Sequence, residues 1–278
     1  MLLLQAAPKP AMTPLEDKDG IVKKADEELA AKPDDPELIL AAGLARDKVW
    51  RYTESIELYT RGAKLAPQDF RFLRYRGHRY ISTRQFGKAV EDLEKARHLA
   101  PNSYDVAYHL GLAYYLRGQF DKAAAEYARC MSQAGQEAGP ALPGGAKRCA
   151  EVANDADARI GMTEWRYRAL RRAHKDAEAE KLLETVPEEL ELKESAPYYQ
   201  CLLFSKGLRT EKALLDPSQM KGNLFPTLGY AVANYYLLEE NPRKACPLLR
   251  KVASDPAWNA FGAIAAEVEL ARGACKDE

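Results

Sequence analysis

The fold is decided by residues 33–134, which fall into three lines of equal length: PDDPELILAAGLARDKVWRYTESIELYTRGAKLA (33–66), PQDFRFLRYRGHRYISTRQFGKAVEDLEKARHLA (67–100) and PNSYDVAYHLGLAYYLRGQFDKAAAEYARCMSQA (101–134). Each line opens on proline, at Pro33, Pro67 and Pro101, 34 residues apart. A small-and-large pattern recurs beneath the prolines. The third line carries Ala107, Leu110, Gly111, Tyr114, Ala123 and Tyr127. The second carries Leu73, Arg76, Gly77, Tyr80, Ala89 and Leu93, and the first Ile39, Ala42, Gly43, Arg46, Ser55 and Tyr59. Self-similarity at this period marks a repeat array, in which each helix pair buries its apolar face only by stacking on its neighbours.

Gly43, Gly77 and Gly111 fall mid-helix, where glycine costs about 1 kcal/mol relative to alanine. The spacing predicts what offsets that cost: the large residue of the second helix (Tyr59, Leu93, Tyr127) packs into the gap left by the missing side chain, with Ala89 and Ala123 as the matching small residues. Proline ends each unit because it cannot continue the preceding helix. These residues resemble the tetratricopeptide (TPR) repeat. The resemblance implies an all-α, right-handed superhelical solenoid of about six helical hairpins, with a partial leading repeat and a C-terminal capping helix.

Composition narrows the class. Lys+Arg and Asp+Glu are both 41, so the zero net charge gives no signature of nucleic-acid binding. No apolar run approaches the ~18 residues of a membrane span. Cys130, Cys149, Cys201, Cys246 and Cys275 show no CxxC spacing, which argues against zinc. Cys130 stands at a small-residue position of a second helix and reads first as a buried thiol; a Cys130–Cys149 disulfide is the alternative in an oxidising compartment.

Four segments follow along the chain. Residues 1–13, MLLLQAAPKPAMT, lack a basic n-region and read either as a signal-peptide remnant or as a disordered end. Residues 14–135 hold the partial leading repeat (a helix over 19–32) and the three repeats. Four glycines and two prolines between Gly135 and Gly145 predict a mobile loop over 136–148. Residues 149–273 read as divergent TPR-like hairpins: a helix from Cys149 to Arg172 with a partner over 177–185, a shortened pair over 196–215, and a pair from Pro226 in which Gly229, Val232, Ala233 and Tyr236, then Ala245, Leu249 and Val252, fit the repeat offsets. Asn241-Pro242 starts the second helix of that last pair, Pro247 is placed to kink it, and a lone helix over 258–272 ends before Gly273. The segments 50–67, 74–96 and 258–273 also resemble a set of bacterial TPR proteins that often carry export signals. That likeness implies an exported or periplasmic location, with the cytoplasm as the alternative.

In TPR arrays, positions 2, 5, 9 and 12 of the first helix face ligand, and the resemblance carries this onto Arg71, Arg74 and His78 in the second repeat and Tyr108, Leu112 and Tyr115 in the third. The spacing i, i+3, i+7 places each trio on one helical face. A basic strip beside an aromatic-aliphatic one suits a peptide with a carboxylate and an apolar side chain. The opposing reading pairs Arg71 and Arg74 with Glu37 or Asp105 on neighbouring helices. The TPR subclass that grips a C-terminal carboxylate through Lys and Asn is not expected, because Leu40, Leu44 and Tyr75 stand at those positions. The five arginines of 71–84 surround their helix and cannot all face one nucleic acid.

His78, His98, His109 and His174 form no HExxH, and no phosphate-cradling glycine motif is present, so neither a cofactor nor a metal is expected. The chain reads as a non-catalytic scaffold or adaptor for a protein or peptide partner. Two alternatives are an envelope assembly factor that recruits cell-wall enzymes and a helical hydrolase with a site beneath the 132–147 loop. Two convergent carboxylates or a metal under that loop would favour the hydrolase.

Overall fold

The computed structural model describes residues 12–220 and 224–275, so of the N-terminal stretch 1–13 only Met12 and Thr13 fall among the described residues. The helices are α1 (Ile21–Ala31), α2 (Pro36–Lys48), α3 (Tyr52–Leu65), α4 (Phe70–Ser82), α5 (Phe86–Leu99), α6 (Tyr104–Leu116), α7 (Phe120–Met131), α8 (Ala156–Arg172), α9 (Asp176–Glu184), α10 (Ala196–Ser205), α11 (Glu211–Leu214), α12 (Leu224–Leu238), α13 (Pro242–Ala253) and α14 (Phe261–Arg272). Among the described residues the extended pairing is confined to one bridge, Ser103 with Arg148. The fold is all-α and TPR-like. Packing divides the chain into two compact units, one of Thr13–Gly118 with Ala128–Val152, the other of Gln119–Tyr127 with the residues from Ala153 onward.

A backbone register runs beneath the sequence repeat. Left-handed residues close the first helix of each pair: Trp50, Arg84 and Gly118 at steps of 34, then His174, Gly207, Glu240 and Gly273 at steps of 33. At most of these turns the next N–H reaches back five residues, as in Arg51 to Arg46, Gln85 to Tyr80, Lys175 to Leu170 and Asn241 to Tyr236. This satisfies the last free carbonyls of the helix in the manner of a Schellman motif. The gap from Gly118 to His174 is 56 residues, 22 beyond the 34-residue period, and it holds the Gly/Pro-rich insertion. The starts of the first helices keep register as well: Asp35, Asp69 and Ser103 accept from the N–H groups of Glu37, Arg71 and Val106, each cap stabilising its helix by ~1 kcal/mol.

Close approach explains Gly43 and Gly77. A Cβ on Gly43 would lie 2.3 Å from the Tyr59 ring, and one on Gly77 would lie 2.6 Å from Leu93 Cγ. Between successive pairs, Gly62 admits Phe72 in the same way, at 2.1 Å. Ser55, standing where the second repeat has Ala89, donates to the Gly43 carbonyl at 3.2 Å. Tyr59, Phe72 and Leu93 are fully buried.

The insertion is irregular chain over most of 136–148, with a 3-10 turn at Pro143–Gly145, and it is docked: Leu142 and Ala146 pack on the cluster of Phe70, Ala96, Ala100 and Val106. Tyr104 N–H donates to Lys147 O and Cys149 N–H to Asn102 O. Cys130 and Cys149 form a disulfide, so the reading of Cys130 as a free thiol is corrected; both sulfurs are buried, and burial alone does not distinguish cystine from thiol.

Cys149–Asn154 forms a short 3-10 turn, and in the second unit α8 begins only after Asp155, which accepts from Ala158 N–H at 2.8 Å. The C-terminal helix begins at Phe261 and not at Trp258, because Trp258 is buried in the turn that precedes it. α13 runs through Pro247. Counted back from Glu240, Ala233 holds the position of Gly43 and Gly77; Gly229 lies one helical turn earlier and admits Val252 at 2.6 Å. Gly262 lets α14 meet α12, since a Cβ there would sit 2.1 Å from the Pro226 carbonyl oxygen. A second disulfide, Cys246–Cys275, ties α13 to the segment after α14, a pairing the spacing did not reveal.

Candidate partner-binding strip

In the first unit, the first helices α2, α4 and α6 bring Leu44, Arg74, Tyr75, His78 and Tyr108 into a row of partly buried side chains. Leu44 and Tyr75 pack on a cluster that includes Leu40, Tyr59 and Phe72, and Tyr75 stacks on Tyr59 at 5.7 Å. The Arg74 guanidinium lies 4.4 Å over the Tyr75 ring and reaches Asp105 on α6 at 3.1 Å. His78 meets His109 at 4.2 Å between ring centroids, His109 meets the edge of Tyr108 at 5.4 Å, and Tyr108 stacks on Tyr104 at 5.9 Å. His109 is held by the Asp105 carbonyl at its Nδ1, 2.7 Å away, in keeping with a structural histidine.

Charge along the row is consumed internally. Arg71 forms ion pairs with Glu37 and with the cap residue Asp69, and Arg74 pairs with Asp105, so both arginines follow the paired reading. Their side chains are 12% and 14% exposed, which leaves little guanidinium surface for an incoming carboxylate. Burial, then the neighbouring Arg79, His109 and Arg74 charges, holds His78 well below the usual histidine range. Burial and Arg74 do the same for His109. The two rings are thus neutral at pH 7 and present an aromatic, hydrogen-bonding surface. Beneath them Asp47 accepts from Tyr59 Oη at 2.8 Å and lies 3.7 Å from Arg79, whose guanidinium covers the Tyr52 ring at 4.3 Å. Burial raises the Asp47 carboxyl despite these partners.

Two of the residues assigned to the row from sequence do not belong to it. Leu112 and Tyr115 are fully buried. The rule that places them on the surface presumes a polar outer stripe, but α6 reads YDVAYHLGLAYYL and is buried continuously from His109 to Leu116, as an all-round apolar helix must be. Tyr108 remains half-exposed. Leu142 and Ala146 of the insertion lie on an apolar cluster, and the carboxylates of Glu37 and Asp69 nearby are both paired with Arg71.

The same offsets, counted back from His174, mark a row that sequence reasoning missed: Glu164, Arg168 and Arg171 on α8. Glu164 and Arg168 form a buried ion pair, with the guanidinium 4.7 Å over Trp165 and 4.9 Å over Tyr230. Burial pushes the Glu164 carboxyl up to about 7 against the pull of Arg168. A small polar cavity beside the pair is lined by Tyr167, Arg171, Ser205, Asn234 and Tyr235. The signal was available as the 33-residue step, but the turn residue is a histidine, which carries no turn signature in sequence. Among the described residues, no group of three or more His, Cys, Asp or Glu is placed to hold a metal, and no helix is long and apolar enough to cross a membrane.

Residues 80–139 match the family model described as tetratricopeptide repeat. Over 82 residues the chain is 35% identical to the BBSome complex member BBS4 of Bos taurus, a match covering 29% of this chain and 15% of that protein's length. Among solved structures, the chain is similar to YrrB, described as a TPR protein with an unusual peptide-binding site (TM-score 0.46, 14% identity, 87% of this chain and 96% of that one). It is likewise similar to a tetratricopeptide repeat protein from Parabacteroides merdae (TM-score 0.46, 15% identity, 88% and 89%). The stretch matched to the tetratricopeptide-repeat model lies on a 34-residue repeat whose prolines, caps and left-handed turns keep register, and the chain folds as a TPR-like array of helical hairpins.

Proposed function

We propose that the chain is a non-catalytic scaffold that holds an extended segment of a partner protein along the row Leu44, Arg74, Tyr75, His78 and Tyr108. The observation that carries this reading is the continuity of a partly exposed row across three helices, aliphatic on α2 at Leu44 and aromatic on α4 and α6, with its charges already neutralised. Such a surface favours a segment with apolar or aromatic side chains over an acidic tail, because a ligand carboxylate would have to displace Glu37 or Asp105 from their arginines. Aromatic residues that keep a polar tip are the side chains most often responsible for binding energy at interfaces.

The test is affinity capture from the native host followed by mass spectrometry, comparing the wild type, Arg74→Ala/Tyr108→Ala and the exposed control Glu57→Ala. The double variant loses the partners that wild type and control retain, with unchanged far-UV circular dichroism. Wild-type capture survives a rise in salt that screens exposed ion pairs. If the double variant recovers the same partners as wild type, the row is not the binding surface.

A further inference from the structure

Four of the five cysteines are paired, and each pair fastens a segment that lies outside the helix hairpins. The Cys130–Cys149 bond joins the end of α7 to the end of the 22-residue insertion. Within that span the chain crosses the starts of α4 and α6: Leu142 and Ala146 pack on the cluster of Phe70, Ala96, Ala100 and Val106. A Cβ on Gly144 would lie 3.2 Å from Arg71 Nη1, and Lys147 Nζ sits 5.6 Å over the Tyr104 ring. The segment therefore roofs the Arg71–Tyr104 end of the row and leaves His78 and Tyr108 half-exposed. Its own sequence, GQEAGPALPGGAK, has few side chains with which to hold that position. Glycine-rich chain is costly to order, and its docked apolar groups are chiefly Leu142 and Ala146. A covalent tie that closes a 19-residue span limits the conformations open to it before docking.

We infer that the Cys130–Cys149 cystine is the fastener that keeps residues 132–148 folded over the starts of α4 and α6, so that the chain reaches its working form in an oxidising compartment. Disulfides form and persist in such compartments and are rare where thiols are kept reduced. The bond forms by oxidation of two thiols to one cystine, with two electrons and two protons passing to the disulfide-forming system of that compartment. Cys201 stands apart, buried on α10 with its thiol pushed up by burial, and takes no part. The inference stands whether or not a partner uses the row.

Two measurements test it. Protein isolated from its native host under acid quench, then denatured without reductant and alkylated, shows one modified thiol of the five cysteines, at Cys201; five modified thiols overturn the inference. Limited trypsin digestion then reads the roof at Lys147 and Arg148. Cys130→Ser/Cys149→Ser is cut there at least about tenfold faster than wild type, whereas Cys246→Ser/Cys275→Ser is cut at the wild-type rate. If Cys130→Ser/Cys149→Ser loses its helical circular dichroism, Leu142→Ser, with the cystine intact, carries the test. Its cleavage rises but stays below that of wild type treated with reductant. Cleavage of reduced wild type at the oxidised rate refutes the fastening role.

Discussion

Gly43→Ala isolates the contact on which the first pair depends. Alanine is the better helix former by ~1 kcal/mol, so in an open helix the change would stabilise. At this position the new Cβ meets Tyr59 Cε1 at 2.3 Å, Cζ at 2.8 Å and Cδ1 at 3.0 Å. Carbon atoms rest about 3.5–4.0 Å apart, so the ring must withdraw by roughly 1 Å or more. It has nowhere to go: Tyr59 is fully buried, stacked on Tyr75 at 5.7 Å and tied through its hydroxyl to Asp47. Overpacking costs ~1–3 kcal/mol, and weakening a hydrogen bond to a buried carboxylate adds up to ~1.5–3 kcal/mol. With that hydrogen bond fully weakened, the loss net of the helix gain is about 1.5–5 kcal/mol. Gly87→Ala makes the same chemical change beside a single ordinary contact, Arg117 Nη1 at 3.5 Å, and should be neutral or stabilising by up to ~0.5 kcal/mol. Urea titrations followed by circular dichroism report both. A Gly43→Ala midpoint at or above wild type, with an unchanged slope, would refute the claim that ring contact sets the glycine. In a Tyr59→Ala background the sign should reverse, because the obstructing ring is gone.

Two further expectations come from other parts of the fold. Because His78 and His109 titrate below the ordinary range when folded, the unfolded chain takes up protons that the folded chain refuses. Stability of the first unit is therefore full above the unfolded histidine pKa of about 6.5, and it falls as pH drops below that toward the depressed folded values. Urea midpoints measured from pH 7.5 to 5 should decline, and the decline should shrink in His109→Gln. Gly262→Ala places a Cβ 2.1 Å from the Pro226 carbonyl oxygen, a backbone atom that no rotamer can move. It should cost more than Gly43→Ala and raise hydrogen exchange in α14 ahead of α8.

The architecture was legible because its determinants recur. Prolines at 33, 67 and 101, small residues at 43 and 77 and aromatic or leucine knobs at 59 and 93 each say little alone, but at a fixed 34-residue step they leave a helix hairpin as the common solution. The hairpins beyond residue 149 were legible for the same reason: Gly229, Val232, Ala233 and Tyr236 repeat the spacing of Ala107, Leu110, Gly111 and Tyr114, and Ala233 holds the small position counted back from Glu240. The turns themselves were invisible, because Trp50, Arg84, His174 and Glu240 adopt left-handed backbone that sequence assigns to glycine or asparagine. The docking of the insertion was not legible, because glycine and proline report local preference, whereas Leu142 and a cystine place the segment through contacts remote in sequence. Cys246 and Cys275 are 29 residues apart and escaped notice, since pairing depends on where α14 folds back.

The candidate row shows where a positional rule stops. Arg71 and Arg74 fall at positions that face ligand in repeats of this kind, and from sequence they read as charges awaiting a carboxylate. Position 2 of the three successive first helices is Glu37, Arg71 and Asp105: negative, positive, negative at the repeat step. A rigid stack brings equal positions of neighbouring repeats side by side, so Arg71 meets Glu37 in the preceding helix, while Asp105 in the following one is taken up by Arg74, three residues further along. The alternation is visible in the sequence once the repeat is aligned, and it answers the question of the arginines before any ligand is considered. A charge that the repeat itself neutralises contributes rigidity to the wall and little net field to a partner. Selectivity along this row must then come from what the ion pairs hold in place, the faces of Tyr75, His78 and Tyr108, whose spacing is fixed by the same repeat that fixed the fold.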